Sequence, residues 1–237
     1  MRSSKPQNYV MLVTGTRKGI GKSIAEYYLN KGYIVIGCSR GDSSIIHNDY
    51  THFIADVSDE LEVKKIFNYI LKKYNKLDFL INNAGIASMN HSLLTPISTA
   101  RKIFETNVIG CFLFSREAAK LMKINKFGRI VNFATFAIPF KLEGEAIYAA
   151  SKAAVVSLTE ILSREYAIFN ITVNAVAPPA VETDLIRGVQ KEKMDKLLSR
   201  QSIHRYGTPF EVCKVIDFFI DEQNEMTNGQ IIYMGGL

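Results

Sequence analysis

The sequence has little of what builds metal sites, disulfide frameworks or membrane spans. Its 237 residues include three cysteines (Cys38, Cys111 and Cys213) and four histidines. The cysteines form no CxxC pair and the histidines show no HxH or HxxxH spacing, which argues against a disulfide framework and a metal site. No run approaches roughly 18 consecutive apolar residues, and the apolar run at Tyr9–Val13 is too short for a signal peptide, so we expect no membrane association. Scattered cysteines fit reduced thiols, and we expect a cytoplasmic protein.

The chain also lacks a visible domain boundary. No Pro/Gly/Ser-rich linker, low-complexity tract or internal repeat divides it. Hydrophobic residues make up 47% and charged residues 22% of the sequence, which excludes a disordered or coiled-coil composition. A chain of this length can bury a full core without disulfides or a structural metal. We expect a single domain over residues 1–237.

The net charge of +6 is open to more than one interpretation. It fits an anionic partner, such as nucleic acid or a phosphorylated cofactor, or simply a mildly basic solvated surface. The positive residues are scattered and form no basic cluster interleaved with aromatics, so we expect no nucleic-acid partner.

Short apolar runs alternate with helical patterns along the chain. The long helices are predicted around Thr99–Met122 and Ala149–Phe169, and Val181–Arg205 is an irregular helix or lid. Near-continuous apolar strands separated by helices are typical of a parallel sheet covered on both faces. The pattern predicts an α/β fold with a Rossmann-type, doubly wound, parallel seven-stranded sheet. Its predicted strands are Tyr9–Val13, Tyr33–Cys38, Phe53–Ala55, Leu77–Ile81, Arg129–Phe133, Ile171–Val176 and Gln230–Tyr233.

A glycine-rich turn joins the first predicted strand to the first helix, with the spacing GxxxGxG. Glycine can occur at a strand-to-helix turn simply because the turn needs a backbone conformation that other residues disfavour. Here a second strand follows within about 20 residues, as in dinucleotide-binding folds, where backbone N–H groups approach a pyrophosphate at the helix N-terminus. The cofactor-binding residues predicted in this turn are Gly15, Arg17, Lys18, Gly19, Ile20 and Gly21.

The second strand ends at Ser39 and Arg40 without an acidic residue at its tip. An Asp or Glu there would bind the ribose 2′-hydroxyl of NAD(H). Arg40, together with Arg17 and Lys18, favours the 2′-phosphate of NADP(H). Two alternatives are an ion pair between Arg40 and Asp42 and three solvated surface charges. We predict NADP(H) as the preferred cofactor.

Tyr148 and Lys152 form a YxxxK pattern on a predicted helix. The same spacing occurs at Tyr27/Lys31 and Tyr69/Lys73, so the pattern alone carries no information. Small residues surround Tyr148, however, and leave room for a ligand. Lys152 lies one turn further on the same helix face, and its positive charge would lower the pKa of the tyrosine.

These motifs together resemble the short-chain dehydrogenase/reductase family over essentially the whole chain. Their joint order and spacing carry the resemblance, since each match alone is modest. The motifs are the glycine turn, Asp56-Val57, Asn82-Asn83-Ala84-Gly85, Asn107, Tyr148-xxx-Lys152 and Asn174-Ala175-Val176-Ala177-Pro178.

The resemblance implies a catalytic set of Asn107, Thr135, Tyr148 and Lys152. Tyr148 would be the general acid in reduction, Lys152 would lower its pKa and bind the nicotinamide ribose, and Asn107 would hold a water in a proton relay. Further cofactor contacts are implied for Asp56 and Val57 at the adenine, Asn83, Ala84 and Gly85 along the channel, Pro178, and Thr183 at the carboxamide.

The chain departs from the family pattern at three positions. Thr135 stands where the family usually has a serine that polarises the carbonyl. Its hydroxyl can still donate a hydrogen bond to a carbonyl, and the alternative is that Thr135 only packs against its neighbours. Pro179 replaces a glycine and fixes the backbone before Thr183. Met234 replaces an acidic residue before the terminal glycines.

The expected activity is NADP(H)-dependent interconversion of a ketone and a secondary alcohol. The chain is most similar to 3-oxoacyl-[acyl-carrier-protein] reductases, which implies a small carbonyl substrate presented on acyl carrier protein or coenzyme A. The segment Pro139–Glu145 is bulkier and more charged than is common there, so a sugar, polyketide or other secondary metabolite is the alternative substrate. A non-catalytic dinucleotide sensor is the alternative of a different class.

Substrate recognition is expected from three loops and assembly from helices. The loops are Ile86–Pro96, Phe136–Ala146 and Val181–Arg205. The resemblance implies a homodimer or homotetramer, in which the two long helices pair across a twofold axis and the C-terminal strand adds a second contact.

Overall fold

The computed structural model describes residues 9–182 and 191–236, and within them seven parallel strands form one sheet. The strand order is β3-β2-β1-β4-β5-β6-β7, and Met11 of the first strand is in register with both Val35 and Phe79. The strands are β1 (Val10–Thr14), β2 (Ile34–Ser39), β3 (Tyr50–Ile54), β4 (Phe79–Asn82), β5 (Gly128–Phe133), β6 (Ile171–Ala177) and β7 (Ile231–Tyr233).

Helices connect these strands and cover both faces of the sheet. Their ends carry clear local signals: Asp59 caps one helix through the N–H groups of Leu61 and Glu62, and Thr208 and Glu211 form a capping box on another. The helices are α1 (Gly19–Leu29), α2 (Glu60–Tyr74), α3 (Ile97–Phe104), α4 (Gly110–Asn125), α5 (Ala137–Phe140), α6 (Ala146–Tyr166), α7 (Lys191–Leu198) and α8 (Pro209–Ile220).

The sheet separates two apolar cores. On one face, side chains of α2 and α4 such as Ile66 and Phe114 pack against the sheet. On the other face, side chains of α1 and α8 such as Tyr28 and Phe219 do the same. Every residue of β1 and β6 is buried, because strands in the middle of a doubly covered sheet have no solvent face. The predicted fold class is confirmed.

The strand order reverses between β1 and β4, which lie side by side although two strands separate them in sequence. The loops after these two strands run to opposite faces and leave a crevice at the carboxyl ends of the strands. The glycine turn and Asn83 therefore meet at the same edge of the sheet.

The structure differs from the predicted elements in two places. Strand β3 starts at Tyr50, earlier than the predicted Phe53, because this edge strand is only half-buried and includes polar Thr51 and His52. The predicted helix Thr99–Met122 is interrupted by one π-helical segment, Glu105–Ile109, between α3 and α4. Such wider turns have no periodic signal in the sequence and occur often at functional sites.

One described helical stretch, Ala146–Phe169, is long and apolar enough by length and composition to cross a membrane. In the fold it packs against the sheet and buries Val155 and Leu162, as a core helix does. Part of its apolar character instead lies on the exposed side chains of Ile161 and Ile168.

Candidate active site

The glycine turn packs tightly against the end of β4. Gly15 has φ +79°, a conformation that side chains disfavour, and its N–H donates to the Cys38 carbonyl at 2.8 Å. Asn83 Nδ2 donates to the Thr14 carbonyl at 2.8 Å, and a Cβ on Gly21 would collide with that amide and with the Gly15 carbonyl. The glycines thus bring the N-terminus of α1 close to β4 and keep the crevice open.

A cleft of about 440 Å³ follows this edge of the sheet, and we call it the long cleft. Its lining includes most of the predicted cofactor-binding residues together with Ala55, Ile86, Ala87 and Thr106. The predicted residues that line it are Gly15, Arg17, Lys18, Gly19, Ile20, Gly21, Ser39, Arg40, Asp56, Val57, Asn83, Ala84 and Gly85.

Positive groups stand at the β2 end of the long cleft. Arg17, Lys18 and Arg40 are exposed, and Arg40 forms no ion pair with Asp42 within the described part of the chain. Burial acts to raise the pKa of Asp56, but hydrogen bonds from Ser58 and the charge of Arg40 outweigh it and lower that pKa. The cationic character of this end agrees with the phosphate interpretation, because no acidic side chain occupies the tip of β2.

A hydrogen-bond network centred on His52 supports the loop after β2. His52 Nε2 donates to the Gly41 carbonyl at 2.9 Å, and Nδ1 lies 2.9 Å from the Tyr50 hydroxyl, which also contacts Thr16 Oγ1 at 2.9 Å. Ser39 Oγ also donates to the Gly41 carbonyl, at 2.7 Å. The sequence did not reveal this network, because a single histidine on an edge strand carries no motif.

Lys152 is buried beside Gly85, a residue that lines the long cleft. Its Nζ donates to the Phe133 carbonyl at 2.7 Å, and burial lowers its pKa to about 8. A Cβ on Gly85 would come within 3.3 Å of both Lys152 Nζ and Asn107 Oδ1. The loop after β4 therefore lies directly against two of the predicted catalytic side chains.

Tyr148 and Thr135 are brought together by α6 and the end of β5. Burial raises the pKa of Tyr148 to about 12, a hydrogen bond with the Thr135 side chain lowers it, and the charge of Glu145 raises it. Sequence reasoning expected Lys152 to lower this pKa. In the fold the lysine donates to a backbone carbonyl, and Thr135 is the group that favours the phenolate.

Asn107 lies in the π-helical segment and joins the loop after β4 to α6. Its Oδ1 accepts from the Ile86 N–H at 2.9 Å, and its Nδ2 donates to the Ile86 carbonyl at 2.9 Å and to Ser151 Oγ at 3.0 Å. Ser151 Oγ in turn donates to the Tyr148 carbonyl at 2.7 Å. Asn107 is thus connected through one side chain to the backbone of Tyr148. Its role in a water relay stays a prediction.

A smaller cavity of about 150 Å³ opens beside Tyr148, and we call it the tyrosine cavity. It shares Ile20, Asn83, Gly85 and Ala87 with the long cleft, so the two spaces adjoin. Its remaining walls are mostly apolar and include Met89, Phe133, Ala134, Phe136, Pro178, Pro179, Ala180, Val181, Met194 and Leu197, with Thr135, Glu145, Tyr148 and Lys152 as polar members.

The three departures from the family pattern have different places in the structure. Thr135 is in the site, beside Tyr148. Pro179 lines the tyrosine cavity and packs where a Cβ on Gly207 would be 2.6 Å from its ring. Met234 packs with the core under α8, and its N–H donates to the Ala177 carbonyl at 3.0 Å. The predicted contact of Thr183 lies outside the described residues.

Sequence reasoning also missed Glu145 as an individual residue. It belongs to the predicted substrate loop Phe136–Ala146, and no motif distinguishes it from the other charged residues of that loop. Only the fold shows that the side chain is buried and lines the tyrosine cavity.

A doubly wound sheet with a glycine turn at the strand-order reversal, and with a tyrosine and a lysine in the cavity that adjoins the cleft, defines a nucleotide-dependent oxidoreductase of the short-chain type. The short chain dehydrogenase family matches residues 9–194. The chain belongs to this family.

Characterised relatives differ in substrate and cofactor. The chain is 30% identical to the 3-oxoacyl-[acyl-carrier-protein] reductase FabG of Vibrio cholerae serotype O1 over 96% of each chain. It is 32% identical to an NAD-dependent glycerol dehydrogenase of Listeria innocua serovar 6a, covering 96% of this chain and 92% of the relative. The solved structure of ElxO with NADP bound superposes with a TM-score of 0.88 at 30% identity, covering 96% of this chain and 97% of that chain.

Proposed function

We propose that the protein is an NADP(H)-dependent oxidoreductase that interconverts a ketone and a secondary alcohol. The observation that carries the proposal is that Tyr148, Thr135 and Lys152 line one cavity, the tyrosine cavity, which adjoins the long cleft. A carbonyl in the tyrosine cavity would face the hydroxyls of Tyr148 and Thr135. The long cleft would hold the dinucleotide, which supplies or accepts the hydride.

The residues of this site fit the two roles that reduction of a ketone requires. Tyr148, with its pKa raised to about 12, is protonated at neutral pH and can donate its proton to the carbonyl oxygen as charge develops there. Thr135 can donate a second hydrogen bond to the same oxygen and stabilise the developing charge. Lys152 would bind the nicotinamide ribose of the cofactor. Asn107 would orient Tyr148 through Ser151.

The preference for NADP(H) is supported by charge at the cleft. Gly15 and Gly21 let the glycine turn pack against Asn83 and line the cleft, where backbone N–H groups of the turn would bind a pyrophosphate, and Arg17, Lys18 and Arg40 line the same cleft and would bind a 2′-phosphate. ElxO has been solved with NADP bound, which favours the same choice, whereas the Listeria relative is NAD-dependent.

Two substrate classes are supported by relatives. FabG reduces 3-oxoacyl groups on acyl carrier protein, and this favours a 3-oxoacyl thioester presented on acyl carrier protein or coenzyme A. The glycerol dehydrogenase favours a sugar or polyol. Screening NADPH oxidation across 3-oxoacyl thioesters, keto sugars and simple ketones would distinguish them, and absence of turnover on every class would favour a non-catalytic binding protein.

The catalytic assignment is tested by Tyr148→Phe. Removing a general acid costs about 100-fold or more in kcat, while NADPH binding, measured by fluorescence titration, should keep its Kd. The matched control is Tyr69→Phe, which changes the tyrosine of another YxxxK pair, one that contacts Lys73 on the surface at 2.8 Å. Undiminished turnover by folded Tyr148→Phe protein would refute the assignment.

We also propose a cytoplasmic homodimer or homotetramer. The location is supported by the three cysteines, which are all free and buried. The assembly is supported by apolar side chains left exposed on the helices that follow the site, among them Ile161.

A further inference from the structure

The tyrosine cavity contains a buried carboxyl that the reaction proposed above does not use. Glu145 is the acidic member of the cavity lining within the described residues, and only 9% of it is exposed. Buried carboxyl groups in proteins are normally hydrogen-bonded or paired with a positive charge. Glu145 therefore needs a physical explanation.

The backbone of Glu145 serves the fold, but its side chain does not. Its N–H donates to the Leu142 carbonyl at 3.4 Å, and its carbonyl accepts from the Ala149 N–H at 2.7 Å in the first turn of α6. Glu145 occupies the N-cap position of α6, but its side chain makes no capping hydrogen bond, which at this position is the role of shorter side chains such as Ser, Thr, Asp and Asn. With the described residues the carboxyl forms neither a hydrogen bond nor an ion pair, so a structural role does not account for it.

The carboxyl shares the environment of the reacting groups. Burial raises the pKa of Glu145, and the charge of Glu145 in turn raises the pKa of Tyr148. The tyrosine cavity is small, about 150 Å³, and both Tyr148 and Glu145 line it, so the carbons next to a carbonyl bound at Tyr148 would lie within the space that Glu145 also borders. A hydrogen-bond donor on those carbons would satisfy the buried carboxyl.

The hydrogen-bonding chemistry of the Glu145 carboxyl indicates which kind of substrate group would bind beside it. The carboxyl group of Glu145 only accepts hydrogen bonds when it is ionised, and it keeps an acceptor oxygen when it is protonated. A 3-oxoacyl thioester offers carbonyl oxygens near its reacting carbon, which are also acceptors. A hydroxyl group on the adjacent carbon is a donor, and it is cheaper to bury among apolar walls such as Met89 and Leu197 than an ammonium group.

We propose that Glu145 is a specificity-determining residue that accepts a hydrogen bond from a substrate hydroxyl next to the reacting carbon. The enzyme then acts on hydroxy-ketones and the corresponding polyols in preference to 3-oxoacyl thioesters. This inference rests on the proposed ketone–alcohol activity and selects between the two substrate classes that the relatives support.

The test compares hydroxyacetone with butanone, in which a methyl group replaces the hydroxyl, and with acetoacetyl-coenzyme A, each reduced with NADPH. For the natural sequence we expect kcat/KM for hydroxyacetone to exceed that for the other two substrates. In Glu145→Leu the ratio of hydroxyacetone to butanone should fall by about 10- to 100-fold, the usual effect of losing a hydrogen bond to a charged group. Glu145→Gln keeps an acceptor oxygen and should lose only part of this ratio, which provides a second reading if the leucine variant does not fold.

The control is Glu165→Leu, which removes an exposed carboxyl from the same helix outside the cavity lining and should leave the ratio unchanged. An unchanged ratio in folded Glu145→Leu, or a natural preference for acetoacetyl-coenzyme A, would overturn the inference while Tyr148-dependent reduction remained intact. Failure to reduce any of the three ketones would instead refute the proposed function itself.

Discussion

Tyr148 and Lys152 show how burial shifts neighbouring titratable groups in useful directions. Burial disfavours both charged forms, so the pKa of the phenol rises to about 12 while that of the ammonium falls to about 8. Tyr148 is consequently kept as a proton donor, which suits reduction. For oxidation the phenolate would have to be stabilised, and the Thr135 hydroxyl is the group placed to do so.

Substitution of Thr135 by serine and by valine tests whether its hydroxyl group acts as a hydrogen-bond donor in the reaction. We expect Thr135→Ser to keep activity within about threefold, because the hydroxyl donor remains, and Thr135→Val to lose about 100-fold in kcat, as when one donor to a developing oxyanion is removed. Steady-state kcat with saturating NADPH checks this. Equal activity of all three proteins would reduce Thr135 to a packing residue.

Arg40 allows the cofactor preference to be measured directly. Arg40→Ala should raise the KM for NADPH about tenfold, the effect of losing one charge-assisted hydrogen bond at an exposed site, and should leave the KM for NADH nearly unchanged. Lys123→Ala, which removes an exposed charge outside the cleft lining, is the control. If both cofactors respond equally to Arg40→Ala, the residue does not contact a 2′-phosphate.

The loop after β2 depends on the neighbouring edge strand. His52 on β3 connects Tyr50, Ser39 and the Gly41 carbonyl, and a Cβ on Gly41 would come within 3.1 Å of Arg17 Nη1. The network therefore fixes the backbone on either side of Arg40. It makes β3 a positioning element for the proposed cofactor site, although no residue of β3 lines the long cleft.

His52→Ala should accordingly act on cofactor binding rather than on chemistry. We expect the KM for NADPH to rise about threefold to tenfold, because hydrogen bonds that order the loop are lost, with kcat at saturating NADPH unchanged. His47→Ala, in an exposed histidine that contacts Asp49, should change neither value. A fall in kcat with an unaltered KM would contradict the positioning role.

The predicted helix Thr99–Met122 shows a feature that apolar periodicity does not predict. The apolar spacing predicted one helix over Thr99–Met122, and α3 and α4 occupy most of that range. The π-helical segment between them contains Asn107, whose side chain pairs with both backbone groups of Ile86. This geometry depends on a loop distant in sequence, so a local pattern could not predict it.

Apolar side chains are exposed to solvent on α6 and on the residues that follow it. Ile161 is 51% exposed and Ile168 is 80% exposed on the same stretch that has the length and composition of a membrane-crossing helix. A second copy of the chain packed against these side chains would remove them from water. We therefore propose this surface as part of the interface of the homodimer or homotetramer.

The assembly can be tested by mass. Sedimentation should give two or four times the 26.6 kDa of the chain, and Ile161→Glu should shift the protein toward the monomer, because a carboxylate buried in an apolar interface is costly. Ile46→Glu, at a side chain that is 98% exposed on another part of the surface, serves as the control. Identical masses for both variants and the natural sequence would assign the interface to another surface.

The sequence by itself determined the fold class, the glycine turn, and Tyr148 and Lys152 as candidate catalytic residues. Strands and helices follow from apolar periodicity, and the glycine turn is a short local segment. Tyr148 and Lys152 are distinguished from the other YxxxK pairs by the small residues around Tyr148 and by the order of the motifs along the chain. The tertiary structure alone decided which distant residues meet and what surrounds them. It placed Thr135 beside Tyr148, turned Lys152 toward the Phe133 carbonyl and enclosed Glu145 in the cavity. Burial and contacts across the sheet set pKa values and hydrogen-bond partners, and neither can be obtained from neighbours along the chain.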